Sequence, residues 1–298
     1  TALKAFKAEC KEEILPDGMH FELSPMYHKL IFEGVVRVVV ALKDKGLDDC
    51  EVNGYLQPML NVAWSLEEGL DRIPLFNDAG NNVAKSLQAL VSACKEHFGI
   101  TPEYKSRFID SGFYIFKQND WKLIVDAGQP GPAYIPGHAH CDAMSFELFK
   151  TGKPVIVNCG TYAYQCKERS FFRSTAAHNT VMVNDTEQSQ CWGAFRMAKR
   201  SKVNVVSVSE KSIVIELMDQ RGQTVKRTIQ LEKTLKVTDE SGGNKLTAFV
   251  HPINDIDMTF DGNSETIGQQ YAPEYGELVS LEAVRYEGNG KISVEICI

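Results

Sequence analysis

Three of the chain's seven histidines fall in one stretch between Ile135 and Thr180. His138 and His140 flank Ala139, and an extended strand would put both on one face. Such a pair can present two nitrogens to one metal, or one to a metal and one to a substrate. His178 follows another strand and a loop, so the three imidazoles would meet only through tertiary structure. Structural histidines hydrogen-bonded in a sheet are the competing reading. Far upstream, Tyr27 and His28 fall in the first turn of an expected helix. There the positive end of the helix dipole favours anions and lowers the pKa of a nearby phenol. Simple packing of Tyr27 at the helix start is the alternative.

These residues need elements to position them. Leu3, Phe6, Cys10 and Ile14 recur at helical spacing over residues 1–14, and Pro16-Asp17-Gly18 stops that helix with a turn. Ser24 reads as an N-cap with Pro25 at the first helical position, for a helix running to about Lys45 and ended by Gly46. Residues 54–70 and 81–98 read as a third and a fourth helix, joined by a loop that holds Asn77, Asp78 and Gly80. From about residue 101 short alternating runs take over, among them SGFYIFKQ, WKLIVDAG, AMSFELFK, KPVIVNC, SIVIELMD and TVKRTIQLE. Asn119-Asp120, Thr151-Gly152 and Gly288-Asn289-Gly290 read as turns between strands. About ten strands at this spacing imply an antiparallel sandwich rather than a βαβ fold. The expected fold class is α+β multidomain, with a helical domain over residues 1–98 and a large antiparallel β-sandwich over residues 101–298.

Composition narrows the function classes. With 298 residues, 43% hydrophobic and 24% charged, the chain is ordinary for a globular protein. A net charge of -7 provides no basic field, which argues against nucleic acid as a partner, although a local pocket can still take an anion. The most apolar run, residues 31–42, is interrupted by Glu33 and Arg37, so no membrane span is expected. Eight cysteines are scattered without a CxxC pair, which points to reduced, packed thiols rather than a disulfide scaffold or a thiolate zinc site.

GHAHCDAMSFEL, VIVNCGTYAY, FFRSTAAHNTVMVND and EQSQCWGAF, with PDGMHFELSPMYHKL upstream, resemble the heparinase II/III-like family of polysaccharide lyases. The likeness covers most of residues 1–200 and implies the end of an (α/α) toroid followed by a β-sandwich. It implies β-elimination on a uronic-acid-containing polysaccharide: glycosaminoglycan, alginate or a bacterial exopolysaccharide. By the same resemblance Tyr27 is the catalytic tyrosine and His138 the catalytic histidine. Tyr162 or Tyr164, and Arg173, are substrate-side contacts. His140, His178 and position 158 would hold a divalent metal such as zinc, with Asp142 supporting a histidine from behind. The family's acidic ligand at position 158 is here Asn158, a neutral and weaker donor. The family's carboxylate-neutralising asparagine lies well before its SPMYH tyrosine. Only 26 residues precede Tyr27 and none forms that motif, so either a longer natural chain or a cut-down toroid is expected. The likeness implies a periplasmic or secreted protein, whereas the scattered cysteines lean towards a reducing compartment. The competing functions are a carbohydrate-binding scaffold without catalysis, a metal-dependent hydrolase using the three histidines, and a glycosidase using Asp142 and Glu147.

Overall fold

The structure, a computed structural model, describes residues 2–47 and 49–298. The helices come first: α1 (Ala2–Glu13), α2 (Pro25–Asp44), α3 (Cys50–Asn53), α4 (Leu56–Glu67) and α5 (Leu87–Phe98). Ser24 caps α2 as expected, its side chain accepting the Tyr27 N–H, and Pro25 opens the helix. The third helix starts later than its pattern suggests, because residues 50–53 form a separate turn of helix ahead of it. The fourth also starts late, at Leu87. Asn81, expected inside it, instead accepts from the Ile73 N–H and donates to the Pro273 carbonyl, and Ser86 supplies the cap.

Five strands form one antiparallel sheet in chain order: β1 (Arg107–Phe108), β2 (Phe113–Gln118), β3 (Trp121–Asp126), β4 (Phe146–Lys150) and β5 (Lys153–Ile156). Both faces are covered. Tyr114, Phe116, Leu123, Val125 and Leu148 pack towards the second sheet, while Phe113, Ile115, Ile124 and Phe149 meet Leu23, Val62, Leu66 and Phe76 from the helical side. This double burial explains why β3 is apolar on consecutive residues rather than alternating. Asn119 and the pair Thr151-Gly152 make the tight hairpin turns, all three at positive φ. At Gly152 a Cβ would lie 2.3 Å from the Gly69 carbonyl oxygen, so only glycine fits.

After a short helix α6 (Arg169–Phe172) come β6 (Val181–Val183) and the two-stranded hairpin β7 (Gln190–Trp192) and β8 (Arg196–Ala198). The second sheet holds β6 with β9 (Lys202–Val208), β10 (Ser212–Met218), β11 (Thr224–Leu231), β12 (Thr234–Val250), β13 (Met258–Asp261), β14 (Asn263–Tyr271) and β15 (Val279–Cys297). The two long strands β12 and β15 pair antiparallel, with a register break between Glu240 and Lys245. Both change their outer partner at that break: β12 from β11 to β6, and β15 from β13 to β14. Residues 288–290, expected as a turn, therefore run inside β15, where Gly290 passes opposite Gly243. Glycine there permits the positive φ and close approach of a bulge rather than ending the strand.

The sandwich core joins residues from both sheets, including Phe146, Ile213, Val237, Leu246 and Val294. Through it runs a buried ion pair in which Arg227 donates from Nε and Nη2 to Asp239 at 2.7 and 2.8 Å. Its remaining nitrogen donates to the carbonyls of Met144 and Asn179 at 3.0 and 2.7 Å. That contact fixes the two segments that carry the histidines. Among the described residues no helix is long and apolar enough to cross a membrane.

Candidate active site

The candidate site lies where the start of α2 meets the segments leaving both sheets. Ser24 links these parts. It caps α2 and donates its hydroxyl to the Asp78 carbonyl at 2.5 Å. The loop around Asn77 and Asp78 then clasps the His138–Asp142 segment: Asp78 N–H donates to the His138 carbonyl, and His140 N–H to Asn77 Oδ1. Asn77 N–H is taken by Asp142 Oδ2 at 2.7 Å. Residues 138–142 are irregular chain, not a strand. The two histidines of the HxH motif accordingly play different parts, His138 half-exposed and His140 buried.

Tyr27 and His138 form the open half. Their rings stack with centroids 4.1 Å apart and planes 11° from parallel. The Tyr27 hydroxyl is 2.6 Å from the Tyr164 hydroxyl. Burial pushes the Tyr27 phenol pKa up, and the Tyr164 hydrogen bond only partly offsets this. The lowering expected from the helix start is thus overridden by desolvation, and the group is a neutral phenol at neutral pH. Tyr164 is shifted upward too, again chiefly by burial. Glu22 brings a carboxylate oxygen within 2.9 Å of His138 Nδ1, off the line of a hydrogen bond, so the contact is one of charge and packing.

The closed half is a buried network. Asp78 accepts from His140 Nε2 at 2.8 Å, from Thr161 Oγ1 at 3.1 Å and from Arg169 Nη2 at 2.7 Å, with Arg169 Nη1 bonded to it as well. Burial alone would raise the Asp78 pKa; its partners, His140 and Arg169, outweigh that and hold it at about 2. His140 is pushed down to about 4 by burial, so it is neutral at pH 7 and Arg169 is the standing counter-charge. With Nε2–H directed at Asp78, His140 Nδ1 is an acceptor facing His178 Nε2 at 3.2 Å. His178 Nε2 is also 3.1 Å from the Phe172 carbonyl, and its Nδ1 is buried without a partner.

Other expected residues are placed elsewhere. Tyr164, not Tyr162, meets Tyr27; Tyr162 packs in a cluster with Met26, Leu75 and Phe172. Arg173 is not a substrate-side contact. It is 1% exposed, and its guanidinium donates to the carbonyls of Ala139 and Arg196, pinning the HxH segment to the β7–β8 hairpin. Asp142 supports His140 only through Asn77, while Asp78 holds the imidazole directly. Glu147 is buried and taken up by Arg72, the Leu75 N–H and the Asn158 N–H, so Asp142 and Glu147 form no exposed glycosidase pair.

The expected metal set does not converge. Asn158 Oδ1 accepts from the Asn179 N–H at 3.1 Å, and its amide nitrogen lies 3.4 Å from Ser145 Oγ. His140 and His178 offer two facing nitrogens, whereas structural and catalytic zinc sites take at least three protein donors. Among the described residues no group of three or more His, Cys, Asp or Glu side chains could hold a metal ion. The residues present therefore do not fit a zinc centre.

Residues that the sequence did not single out for the site belong to it, among them Glu22, Asp78, Arg169, Phe195 and Tyr275. Arg169 and Asp78 are 91 positions apart, so nothing local marks the pair. Phe195 sits in the turn between β7 and β8, and Tyr275 between β14 and β15; both pack on Tyr164, with centroids 5.2 and 5.5 Å away. A hollow on the helical side, about 540 Å³ and lined in part by Val39, Lys43, Leu56 and Phe98, shares no residue with this site.

Comparison with known proteins gives a consistent picture. The family profile described as "Heparinase II/III-like, C-terminal" matches residues 100–287, and "Heparinase II/III N-terminus" matches residues 1–105. A heparin-sulfate lyase of Pedobacter heparinus is 24% identical over 213 residues, covering 62% of this chain and 32% of that protein. A heparin-sulfate lyase of Bacteroides stercoris is 34% identical over 103 residues, covering 31% of this chain and 15% of the relative. Among solved structures, a heparinase III with methylated lysines superposes with a TM-score of 0.84 at 16% identity, covering 99% of this chain and 54% of the other. The heparan sulfate lyase HepC of Pedobacter heparinus superposes with a TM-score of 0.76, also at 16% identity, over 98% of this chain and 55% of that one. At such identity these superpositions establish the fold. The chain spans about half the length of the solved structures it matches.

Proposed function

Because this chain belongs to the heparinase II/III-like family, we propose that it carries the acid–base centre of a polysaccharide lyase acting by β-elimination. The observation that carries the reading is the stacked Tyr27–His138 pair, half-exposed, with the Tyr27 hydroxyl held by Tyr164. The relatives named as heparin-sulfate lyases favour a glycosaminoglycan as substrate.

In this reading the His138 imidazole removes the proton at C5 of the uronate. The electron pair forms the C4–C5 double bond, the C4–O bond breaks, and the Tyr27 phenol protonates the departing glycosidic oxygen. The raised phenol pKa suits the second role, since Tyr27 enters the cycle carrying its proton. Afterwards the proton on His138 returns to the Tyr27 phenolate through water, since the stacked rings do not direct the imidazole N–H at the phenol oxygen. The substrate carboxylate also needs hydrogen-bond or cationic stabilisation to make C5 acidic. The family resemblance assigns that task to an asparagine upstream of the tyrosine, not to Tyr27, His138 or Tyr164. No step is routed through a metal.

The buried half holds the frame. Asp78 fixes the His140 tautomer and anchors Arg169, whose guanidinium lies 5.1 Å from the Tyr164 ring centroid and 5.8 Å from that of Phe195. The network thereby sets the height of the rings on which the open half rests. Incubating the protein with a panel of glycosaminoglycans, alginate and bacterial exopolysaccharides, and following absorbance in the unsaturated-uronate band, tests the proposal. We expect growth on glycosaminoglycan, and a loss of about 10²–10⁴-fold in rate for His138→Ala. Binding without new absorbance, across the panel and in the full natural polypeptide, would leave a carbohydrate-binding protein and overturn the lyase reading.

A further inference from the structure

Two aromatic side chains beside the acid–base pair are left open. Phe195 and Tyr275 are 42% and 47% exposed, although each packs on the half-buried Tyr164. Phe195 also meets the His138 ring edge-to-face at 6.1 Å. They arrive from separate parts of the sequence beyond Tyr164, and both positions are held. The hairpin bearing Phe195 is tied down by Arg173 and by Arg169, whose Nε donates to the Ala194 carbonyl at 2.9 Å. The loop bearing Tyr275 is held by the Gly276 N–H on the Tyr162 carbonyl and by the parallel bridge between Asn81 and Glu274. At Gly80 a Cβ would come within 3.2 Å of the Tyr275 nitrogen, so the loop lies directly on the Asp78 loop. Rigidly presented, solvent-facing rings at the rim of a reaction centre are costly to leave exposed unless something apolar covers them.

We propose that Phe195 and Tyr275 are the two walls of the sugar-binding cleft, stacking on pyranose rings of the polysaccharide on either side of the bond placed at Tyr27. The inference rests on the site assignment above and adds the residues that grip the chain. Pyranose rings are the occupant that fits, for two reasons. Both rings pack on Tyr164, whose hydroxyl meets that of Tyr27, so a substrate reacting at Tyr27 lies beside them. A pyranose also offers apolar C–H faces to an aromatic ring while its hydroxyls and carboxylate stay available to polar partners. These rings position substrate; they exchange no proton.

Binding and turnover separate this inference from the lyase reading. In the full natural polypeptide carrying Tyr27→Phe, which blocks turnover, calorimetric titration with heparan sulfate reads affinity alone. Phe195→Ala and Tyr275→Ala should each weaken Kd about tenfold, as removal of an anchoring aromatic does, and Tyr275→Phe should bind like its parent. Both side chains are exposed, so melting temperatures should stay close to the parent's and exclude unfolding as the cause. In the active protein the same alanine variants should raise KM more than they lower kcat, whereas His138→Ala lowers kcat. Loss of affinity without any unsaturated product from the active protein would keep the walls and discard the lyase. Unchanged affinity in both alanine variants, or no binding of heparan sulfate by the parent, would overturn the proposal.

Discussion

In the proposed chemistry Tyr27 is the acid, and its desolvation keeps the proton on it until the glycosidic oxygen departs. Its place in the first turn of α2 would favour the phenolate, but burial raises the pKa instead, and Tyr164 fixes the hydroxyl. His138 is held between the Tyr27 ring and the Glu22 carboxylate. Replacing Glu22 by Gln keeps the shape and removes the charge contact. Steady-state kinetics on heparan sulfate should then show kcat reduced by about tenfold, less than for His138→Ala, with KM little changed. An unchanged kcat would remove Glu22 from the machinery. The buried half makes its own prediction. Since His140 Nδ1 and His178 Nε2 already face one another and Asn158 serves the Asn179 backbone, neither zinc nor a chelator should shift the melting temperature or the rate. A zinc-dependent rise of several degrees would show that the donors rearrange to take a metal. Tyr27, His138, His140 and His178 were legible in the sequence because they stand in short motifs. Asp78 and Arg169 were not, because their meeting depends on a contact between a helix–helix loop and α6.

At the scale of elements, the start of α2 is the part most plainly written in the sequence. Ser24 and Pro25 specify it, and the same serine then reaches Asp78, which no local pattern announces. One turn in, His28 is fully buried, accepting the His20 N–H on Nδ1 while Nε2 donates to the Met59 carbonyl. Protonation would destroy the acceptor, and burial holds the His28 pKa at about 4, below the ordinary 6.5. The folded pKa is depressed, so the contribution to stability is complete above pH 6.5 and is lost as pH falls through 4. His20, lowered to about 3 by burial, acts in the same direction. Denaturant titrations between about pH 7.5 and 4 should show unfolding free energy falling over this window, by up to roughly 3 kcal/mol from His28. A His28→Gln variant, which gains no proton, should show a shallower fall; an equal slope in both would contradict this assignment. The late start of α5 has a simple cause as well. The helical pattern of residues 81–98 says nothing of the tertiary bonds that Asn81 makes to Ile73 and Pro273.

For the whole molecule, the order of helices then strands was legible from the change in periodicity near residue 100. The continuity of β12 and β15 was not, because Gly288-Asn289-Gly290 reads as a turn, whereas Gly290 and the facing Gly243 serve a bulge at which the long strands exchange partners. The sandwich is joined to the site by Arg227, which pairs with Asp239 and donates to the carbonyls of Met144 and Asn179, beside the two histidine segments. Truncating it to Ala leaves Asp239 buried and unpaired. Thermal or chemical unfolding should show a loss of about 3–5 kcal/mol, much of it recovered when Asp239 is replaced by Leu together with Arg227→Met. A loss under about 1 kcal/mol would mean that the pair does not lock the core. At the junction of helices and sheets, one comparison decides whether Tyr27 supplies the proton. Heparan sulfate is incubated with the full natural polypeptide and with its Tyr27→Phe variant, and absorbance in the unsaturated-uronate band is followed. Steady growth is predicted for the parent and a flat trace for Tyr27→Phe. Equal growth in both would show that the proton reaching the glycosidic oxygen does not come from Tyr27, and would contradict the proposed chemistry at its centre.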